Sequence, residues 1–257
     1  VAVGGGRIDP QTIESRFSVC CAEVLCDEVA VAARSIKFGV TGICGSGIIE
    51  VVAEMFLAGI ITVDGVIDGA LVERSSRIIA DGRTFSYVLY QPDATAVIGV
   101  ERTTPITITQ NDVRQIQLAK AALYAGVKLL MDKVGVERID RIRLAGAFGS
   151  HINVKHAMVL GLIPDCALDQ VSSAGNAAGT GARIALLNNK SRNTIELLVT
   201  NIEKIETAME PKFQQYFVDA MAFPNKTDPF PNLFSVVEKP VDKVATEVPG
   251  SRKRRRK

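Results

Sequence analysis

Five cysteines are the side chains with the clearest potential for chemistry: Cys20, Cys21, Cys26, Cys44 and Cys166. The pair at 21 and 26 has the C-x4-C spacing that begins a plant-type 2Fe–2S site. Such a site needs a further cysteine at position 29, where the chain has Val29. An odd count also argues against a disulfide framework. The favoured interpretation is therefore a set of buried thiols that behave as small apolar side chains.

Histidine is the other common metal ligand, and the chain contains only His151 and His156. Residues that are five apart do not share a helical face as an i, i+4 pair does. No acidic residue lies between them in the sequence. The spacing thus disfavours a zinc site and predicts surface or capping roles for both side chains.

Glycine-rich segments form a third kind of candidate, because each one stands where a strand or loop leads into a helix. They are "TGICGSG" from Thr41, "LAGAFGSHIN" from Leu144 and "AGNAAGTGA" from Ala174. Helix N-termini offer unpaired N–H groups and a positive dipole end, which suit phosphate. None of the three ends in the Gly-Lys-Ser/Thr of a P-loop, and "GICGSG" differs from G-x-G-x-x-G. Each alone is as compatible with a tight turn as with a ligand site.

The composition is that of a globular protein. The chain has 257 residues, of which 47% are hydrophobic and 23% charged, enough for one large or two small domains. A net charge of +2 provides no general field for nucleic acid. No apolar stretch is long enough to span a bilayer, and the N-terminus lacks a signal-peptide pattern. We expect a cytoplasmic protein without membrane or nucleic-acid partners, and a solvated basic tail at 251–257.

The elements that must position these glycines can be placed from periodicity and capping signals. The clearest is a helix over 109–134, which Thr109 and Asp112 begin in a pattern close to a capping box and Gly135 ends. The pattern further predicts a strand and the following loop over 14–26, strands at 106–109 and 141–145, and a hairpin around 91–93. It predicts a glycine-rich loop followed by a helix over 40–60, and further helices at 153–160, 175–188 and 191–222. From Phe223 onward the chain is predicted to be irregular.

The order of these segments resembles a known superfamily. "LAGAFGSHINVKHAMVLGLIP" from Leu144 looks like the adenosine motif of the acetate kinase, sugar kinase, Hsp70 and actin (ASKHA) superfamily. "GNAAGTGARIALLN" from Gly175 is similar to the superfamily's second connecting helix. Together with "GVTGICGSGIIEVVAEMFLAGII" and "LGLIPD", they resemble the C-terminal part of the reductive activators of corrinoid proteins, over about residues 5–222.

The resemblance implies an α/β fold: a partial actin-like, RNase H-like ATPase lobe with a mixed sheet and packed helices. It also implies ATP with magnesium as the cofactor. The implied site falls on three loops, namely Gly42, Cys44, Gly45, Ser46 and Gly47 lining the nucleotide cleft; Gly146, Ala147, Phe148 and Gly149 holding adenosine; and Gly175, Asn176 and Gly179 at the hinge.

The activity implied is reductive activation. A 2Fe–2S ferredoxin domain supplies one electron that converts Co(II) corrinoid on a partner methyltransferase protein to Co(I). Because this electron transfer is energetically uphill, ATP must shift the partner from one state to another. ATP can do so only if it has a different affinity for the two states. A homodimer is compatible with this role. Two other functions stay open at this stage: a small-molecule kinase of the same superfamily, and an inactive binding or dimerisation module.

Two features of the implied family are missing from the chain. Neither the ferredoxin cysteines nor the D-x-G loops that hold phosphates appear, and the Asp-Gly pairs at 64–65, 68–69 and 81–82 are predicted to be turns. The first residue is not Met, and the chain opens in an apparent strand. We therefore expect a fragment without catalytic or metal-binding residues of its own. Its predicted parts are an incomplete second lobe (1–190), a helical extension (191–222) and a tail that is irregular and disordered (223–257).

Overall fold

A computed structural model describes residues 2–19, 40–92 and 105–240. Its strands are β1 (Ala2–Ile8), β2 (Ser15–Val19), β3 (Gly42–Ile43), β4 (Ile78–Asp81), β5 (Thr84–Tyr90), β6 (Ile106–Thr109), β7 (Ile142–Ala145) and β8 (Val171–Gly175). Its α-helices are α1 (Gly45–Leu57), α2 (Gln110–Val134), α3 (Ala147–His151), α4 (Val154–Val159), α5 (Ala177–Leu187), α6 (Asn189–Thr200), α7 (Phe213–Asp219) and α8 (Pro231–Phe234). None of these helices is long and apolar enough to cross a membrane.

The strands form three small sheets. β1 pairs antiparallel with β2 and parallel with β3, so the first sheet is mixed. β4, β5 and β6 form an antiparallel meander, and β7 pairs in parallel with β8. Helices pack beside these sheets around a shared cluster of buried apolar residues. The predicted α/β class with a mixed sheet and packed helices is confirmed.

Glycine makes the contact between α1 and β1 close. A Cβ on Gly47 would lie 2.6 Å from the carbonyl oxygen of Val3 in β1. A Cβ on Gly5 would lie 2.4 Å from Oε2 of Glu50 in α1. Each element therefore uses a glycine where the other approaches, and this packing fixes the direction in which α1 points.

Helix α2 begins and ends where its sequence signals predicted. The Thr109 side chain accepts a hydrogen bond from the Asp112 N–H, and the Asp112 carboxylate accepts one from the Thr109 N–H, which completes the capping box. Gly135 ends the helix in the left-handed region at φ 74°. The turns at Gly65 (φ 77°) and Gly82 (φ 61°) are also confirmed, whereas Asp68 caps a short 3-10 helix that begins at Gly69.

The structure differs from two other predictions of secondary structure. β5 forms a hairpin with β4 across Gly82, whereas the second strand predicted beyond Gln91 falls at 93–104, outside the described residues. The single helix predicted over 191–222 was wrong. α6 ends at Thr200 and α7 starts at Phe213. Pro211, between them, has no N–H to donate and restricts the residue before it, so one helix cannot run unbroken through this position.

The region after Phe223 is irregular, as predicted, apart from the short α8. It is nevertheless part of the core, since Phe223, Phe230 and Leu233 are buried. Residues 241–257, with the basic tail, lie outside the described residues, as do Cys20, Cys21 and Cys26. The domain boundaries at 190 and 222 stay predictions.

Candidate functional site

Two of the three glycine-rich junctions meet at the carboxyl ends of β7 and β8. The Gly146 N–H donates to the Gly175 carbonyl oxygen at 2.8 Å. Both residues have positive φ, +106° and +63°, which side chains of L-residues rarely adopt. Helix α3 starts directly after the first glycine and α5 shortly after the second. In open α/β sheets, ligands bind beyond the carboxyl ends of parallel strands, so this edge is the best candidate for a binding site.

The backbone at this edge is open. A Cβ built on Gly146 or on Gly175 would meet no atom within 4 Å. The space is therefore available to a ligand, and the chain can expose bare backbone to it. Gly149 differs, since its Cβ would lie 3.1 Å from Cβ of Leu144, so this glycine serves packing. Ala147 and Phe148 are the first two residues of α3.

The predicted hinge residues begin α5. The Asn176 side chain is the N-cap and accepts from the Gly179 N–H at 2.9 Å. A Cβ on Gly179 would approach Nδ2 of Asn176 to 2.8 Å, so glycine is required by the cap itself. The structure thus gives Asn176 and Gly179 a capping role beside the open edge, and their role at a hinge stays a prediction.

The third junction caps α1 with a thiol. Cys44 is the N-cap, and its Sγ accepts from the Gly47 N–H at 3.2 Å and lies 3.2 Å from Oγ of Ser46. Gly47 is thereby committed to the cap and to the contact with β1. Gly42 and Gly45 are not constrained in this way: a Cβ on Gly42 would meet nothing within 4 Å, and Gly45 is exposed. Sequence reasoning missed the cap because cysteine is not among the preferred N-cap residues.

A buried polar pair connects the helix of this junction with α4 and β1. Nε2 of His156 in α4 lies 2.7 Å from Oε1 of Glu54 in α1, and Oε2 of the same carboxylate accepts from the Ile8 N–H of β1 at 3.3 Å. His151 is exposed as predicted, but the surface or capping role predicted for His156 was wrong, because this side chain lies in the core. Its partner is 102 residues away, so spacing could not reveal it.

The charge of Glu54 is held by these contacts. Burial alone would raise the pKa of the Glu54 carboxyl. The hydrogen bond from His156, the bond from the Ile8 N–H and the nearby Lys155 ammonium outweigh burial and keep the pKa below its ordinary value. Lys155 stands 3.9 Å from Oε1. The carboxylate is therefore ionised near neutral pH.

The described part of the chain contains no group of three or more His, Cys, Asp or Glu side chains able to hold a metal. These described residues therefore offer open backbone at the strand edge but no cluster of metal-binding side chains. A separate surface cavity of about 500 Å³ is lined by Tyr124, Lys128, Asp165 and Asp228, among others. Two of its acidic groups already bind protein atoms: Asp228 binds Tyr124, and Asp165 accepts from two N–H groups of α8.

Comparisons with known proteins agree with this architecture. The family described as the C-terminal domain of RACo, the ASKHA domain, matches residues 1–234. The corrinoid activation enzyme RamQ of Eubacterium limosum is 37% identical over 184 residues, which are 70% of this chain and 31% of RamQ. The solved structure of a reductive activator for corrinoid, iron-sulfur protein superposes with a TM-score of 0.69 at 29% identity, covering 87% of this chain and 32% of that one.

The chain thus spans about a third of the length of these relatives. The match nevertheless extends from β1 through α8 and includes all three glycine-rich junctions. The fold, the parallel-strand edge with its two left-handed glycines and the sequence match lead to one conclusion: this chain belongs to the family of RACo C-terminal ASKHA domains.

Proposed function

We propose that this chain is the nucleotide-binding lobe of an ATP-dependent reductive activator that returns Co(II) corrinoid of a methyltransferase system to Co(I). The family match over residues 1–234 carries this proposal. RamQ is described as a corrinoid activation enzyme, and the solved relative as a reductive activator for a corrinoid, iron-sulfur protein. A corrinoid-binding protein is accordingly the proposed partner.

The adenosine end of the nucleotide is assigned to the edge at Gly146 and Gly175. Support comes from the positive φ of both residues and from the open space beside them. A nucleoside contributes apolar contact and a few hydrogen bonds, which bare backbone can accept and donate. Gly149 supports the loop from behind by packing on Leu144.

The phosphates are assigned to the N-terminal end of α1. This helix has 13 residues, and its unpaired N–H groups and positive dipole end favour anions. The Gly47 N–H is occupied by Cys44, which leaves Gly45 and Ser46 as the amides that would face a phosphate. α1 contacts α3 and packs on α4, so the helix that carries these amides is attached to the elements that follow the adenosine loop.

The redox step is not assigned to residues of this chain. In the proposed reaction one electron passes from a reduced 2Fe–2S centre to Co(II), which yields the oxidised centre and Co(I). The contribution of this lobe is to bind nucleotide more tightly in one state of the activator than in another, which is the only way that a ligand shifts such an equilibrium.

Calorimetric titration with adenosine, AMP, ADP and ATP tests the proposal. The chain should bind weakly, on the order of millimolar or about −4 kcal/mol, because its described residues include no magnesium site. Gly146→Val should abolish binding, since φ +106° excludes a β-branched residue and the side chain would occupy the ligand space. Gly181→Ala, where a Cβ meets no atom within 4 Å and φ is not positive, is the control. Equal binding by wild type and Gly146→Val would refute the assignment.

An apolar surface favours a second function, a binding or dimerisation module. Helices α5 and α6 contain no buried residues. Their large apolar side chains are exposed, Leu186 at 73%, Leu187 at 83% and Leu197 at 68%. Large exposed patches of this kind mark interaction sites. A homodimer detected by light scattering, together with no binding of any adenine nucleotide, would favour this second function over the first.

A further inference from the structure

The Glu54 carboxylate joins three elements at one point in the core. Its two oxygens bind His156 Nε2 of α4 at 2.7 Å and the Ile8 N–H of β1 at 3.3 Å, while the residue itself belongs to α1. Glu54 is 7% exposed and His156 is 2% exposed. A pair this deep is shielded from solvent competition, so its geometry constrains all three elements.

The pair also leaves a polar atom without a partner. An ionised carboxylate only accepts hydrogen bonds, so Nε2 of His156 carries the hydrogen that it donates to Glu54. Among the residues that the structure describes, Nδ1 of this buried ring has no hydrogen-bond partner. A buried polar atom without a partner destabilises the fold, and an apolar side chain would avoid that cost. Stability alone therefore does not explain why a histidine stands here. A directional hydrogen bond does explain it, because apolar packing restricts the rotation of a helix less than such a bond does.

Both partners are rigidly attached to the proposed nucleotide loops. Glu54 lies in the same continuous helix as Gly45 and Ser46, the amides assigned to phosphate. His156 lies in α4, whose N-cap Asn153 accepts from the His156 N–H at 3.3 Å. α4 follows α3, which begins at the adenosine loop. A shift of α1 relative to α4 would therefore change the distance between the phosphate end and the adenosine end of the proposed site.

We propose that the Glu54–His156 pair is a positioning device, which fixes the phosphate end of the site on α1 relative to the adenosine end at Gly146. The inference rests on the proposed nucleotide-binding function and extends it to two residues that do not touch the ligand. Adenosine needs only the loop at the strand edge, so its affinity should not depend on the pair. ADP must reach both ends of the site, so the affinity that ADP gains over adenosine should depend on the pair.

Titrations of adenosine and ADP into four proteins test this inference. Wild type should prefer ADP by a factor of about 2 to 30, the range for a negative charge at a helix N-terminus. His156→Gln keeps an N–H donor for Glu54 and should retain that preference within about twofold. The double variant Glu54→Leu/His156→Leu replaces the pair with apolar groups and leaves no buried charge, so that it can fold even if single variants do not. It should bind adenosine as wild type does and lose the preference for ADP.

Tyr124→Phe is the matched control, because it removes a partly buried hydrogen bond, from the Tyr124 hydroxyl to Asp228 at 2.8 Å, that involves neither loop. It should lower the melting temperature and keep the ADP preference. If the double-leucine variant also keeps that preference, or if wild type binds adenosine and ADP equally, the positioning role is overturned while the nucleotide site stands. If wild type binds neither compound, the proposed function fails, and this inference fails with it.

Discussion

Lys120 provides a sharp test of how the C-terminal segment is held, because helix α2 buries its ammonium completely. The side chain is 0% exposed. Its Nζ donates to the carbonyl oxygens of Ala222 and Pro224, the latter at 2.7 Å, and lies 4.9 Å from the centre of the Phe223 ring. One turn earlier, Gln117 donates to the carbonyl oxygen of Met221 at 2.8 Å. α2 thus anchors the chain after α7 by its main-chain carbonyls.

Burial lowers the pKa of Lys120 from 10.5 to about 7. In the unfolded chain the amine is solvated, so between these two values the unfolded state binds a proton that the folded state lacks. The free energy of unfolding therefore rises with pH across this window, and the contribution is lost as the pH falls through 7. At about 1.4 kcal/mol for each pKa unit, the whole change is at most about 5 kcal/mol. The two carbonyl oxygens and the Phe223 ring favour the charged ammonium, and they therefore make this change in the free energy of unfolding smaller.

Urea denaturation at about pH 7 and about pH 9.5 of wild type and Lys120→Met measures this effect. Methionine loses both hydrogen bonds and leaves two buried carbonyls, at a cost of about 1–3 kcal/mol each, but it also removes the titrating group. The stability advantage of wild type should accordingly grow by about 2–4 kcal/mol between the two pH values. Lys128→Met is the control, since that side chain is 23% exposed and pairs with Asp228 at 3.1 Å. Parallel pH profiles for wild type and Lys120→Met would refute the buried-amine reasoning.

Two further predictions concern stability. The pKa of Glu54 is held below its ordinary 4.5, so its contribution is complete above pH 4.5 and is lost as the pH falls through the lower folded value. As the pH is lowered, Glu54→Gln should therefore lose less of its free energy of unfolding than wild type does. An acid unfolding profile equal to that of wild type would contradict a stabilising role of the Glu54–His156 pair. Gly161→Ala should destabilise the fold by several kcal/mol, since its Cβ would lie 2.0 Å from the Pro224 oxygen at φ +72°. Gly126→Ala, open and inside α2, should instead gain about 0.5–1 kcal/mol, and equal melting temperatures for the two variants would contradict this packing.

Elements with strong local signals could be predicted from the sequence. Thr109, Asp112 and Gly135 define α2 by hydrogen bonds within a few residues of the chain, so no tertiary information is needed. The glycine turn at Gly146 was predicted on the same basis, whereas the α/β class was implied by the resemblance to the ASKHA superfamily. Pro211 was an equally local signal, and ignoring it caused the error in the helix over 191–222.

Contacts between distant residues could not be predicted in this way. The bond between Gly146 and Gly175 forms only after β7 and β8 have paired. The bond between Glu54 and His156 depends on how α1 packs against α4, and the two residues are 102 positions apart in the chain. The distinction between glycines that line open space and those that permit close packing, as Gly47 does, likewise requires three-dimensional neighbours.

The central claim is that the parallel-strand edge at Gly146 and Gly175 is an adenine-nucleotide site. Its most direct test is the change in backbone amide NMR shifts as ATP is titrated into the isotope-labelled chain. The account predicts saturable shifts at Gly146, Gly149 and Gly175, with further shifts at Gly45 and Ser46 for ATP that adenosine does not cause. Saturable shifts confined to the cavity around Lys128 and Asp228, with the glycine amides unmoved, would contradict it.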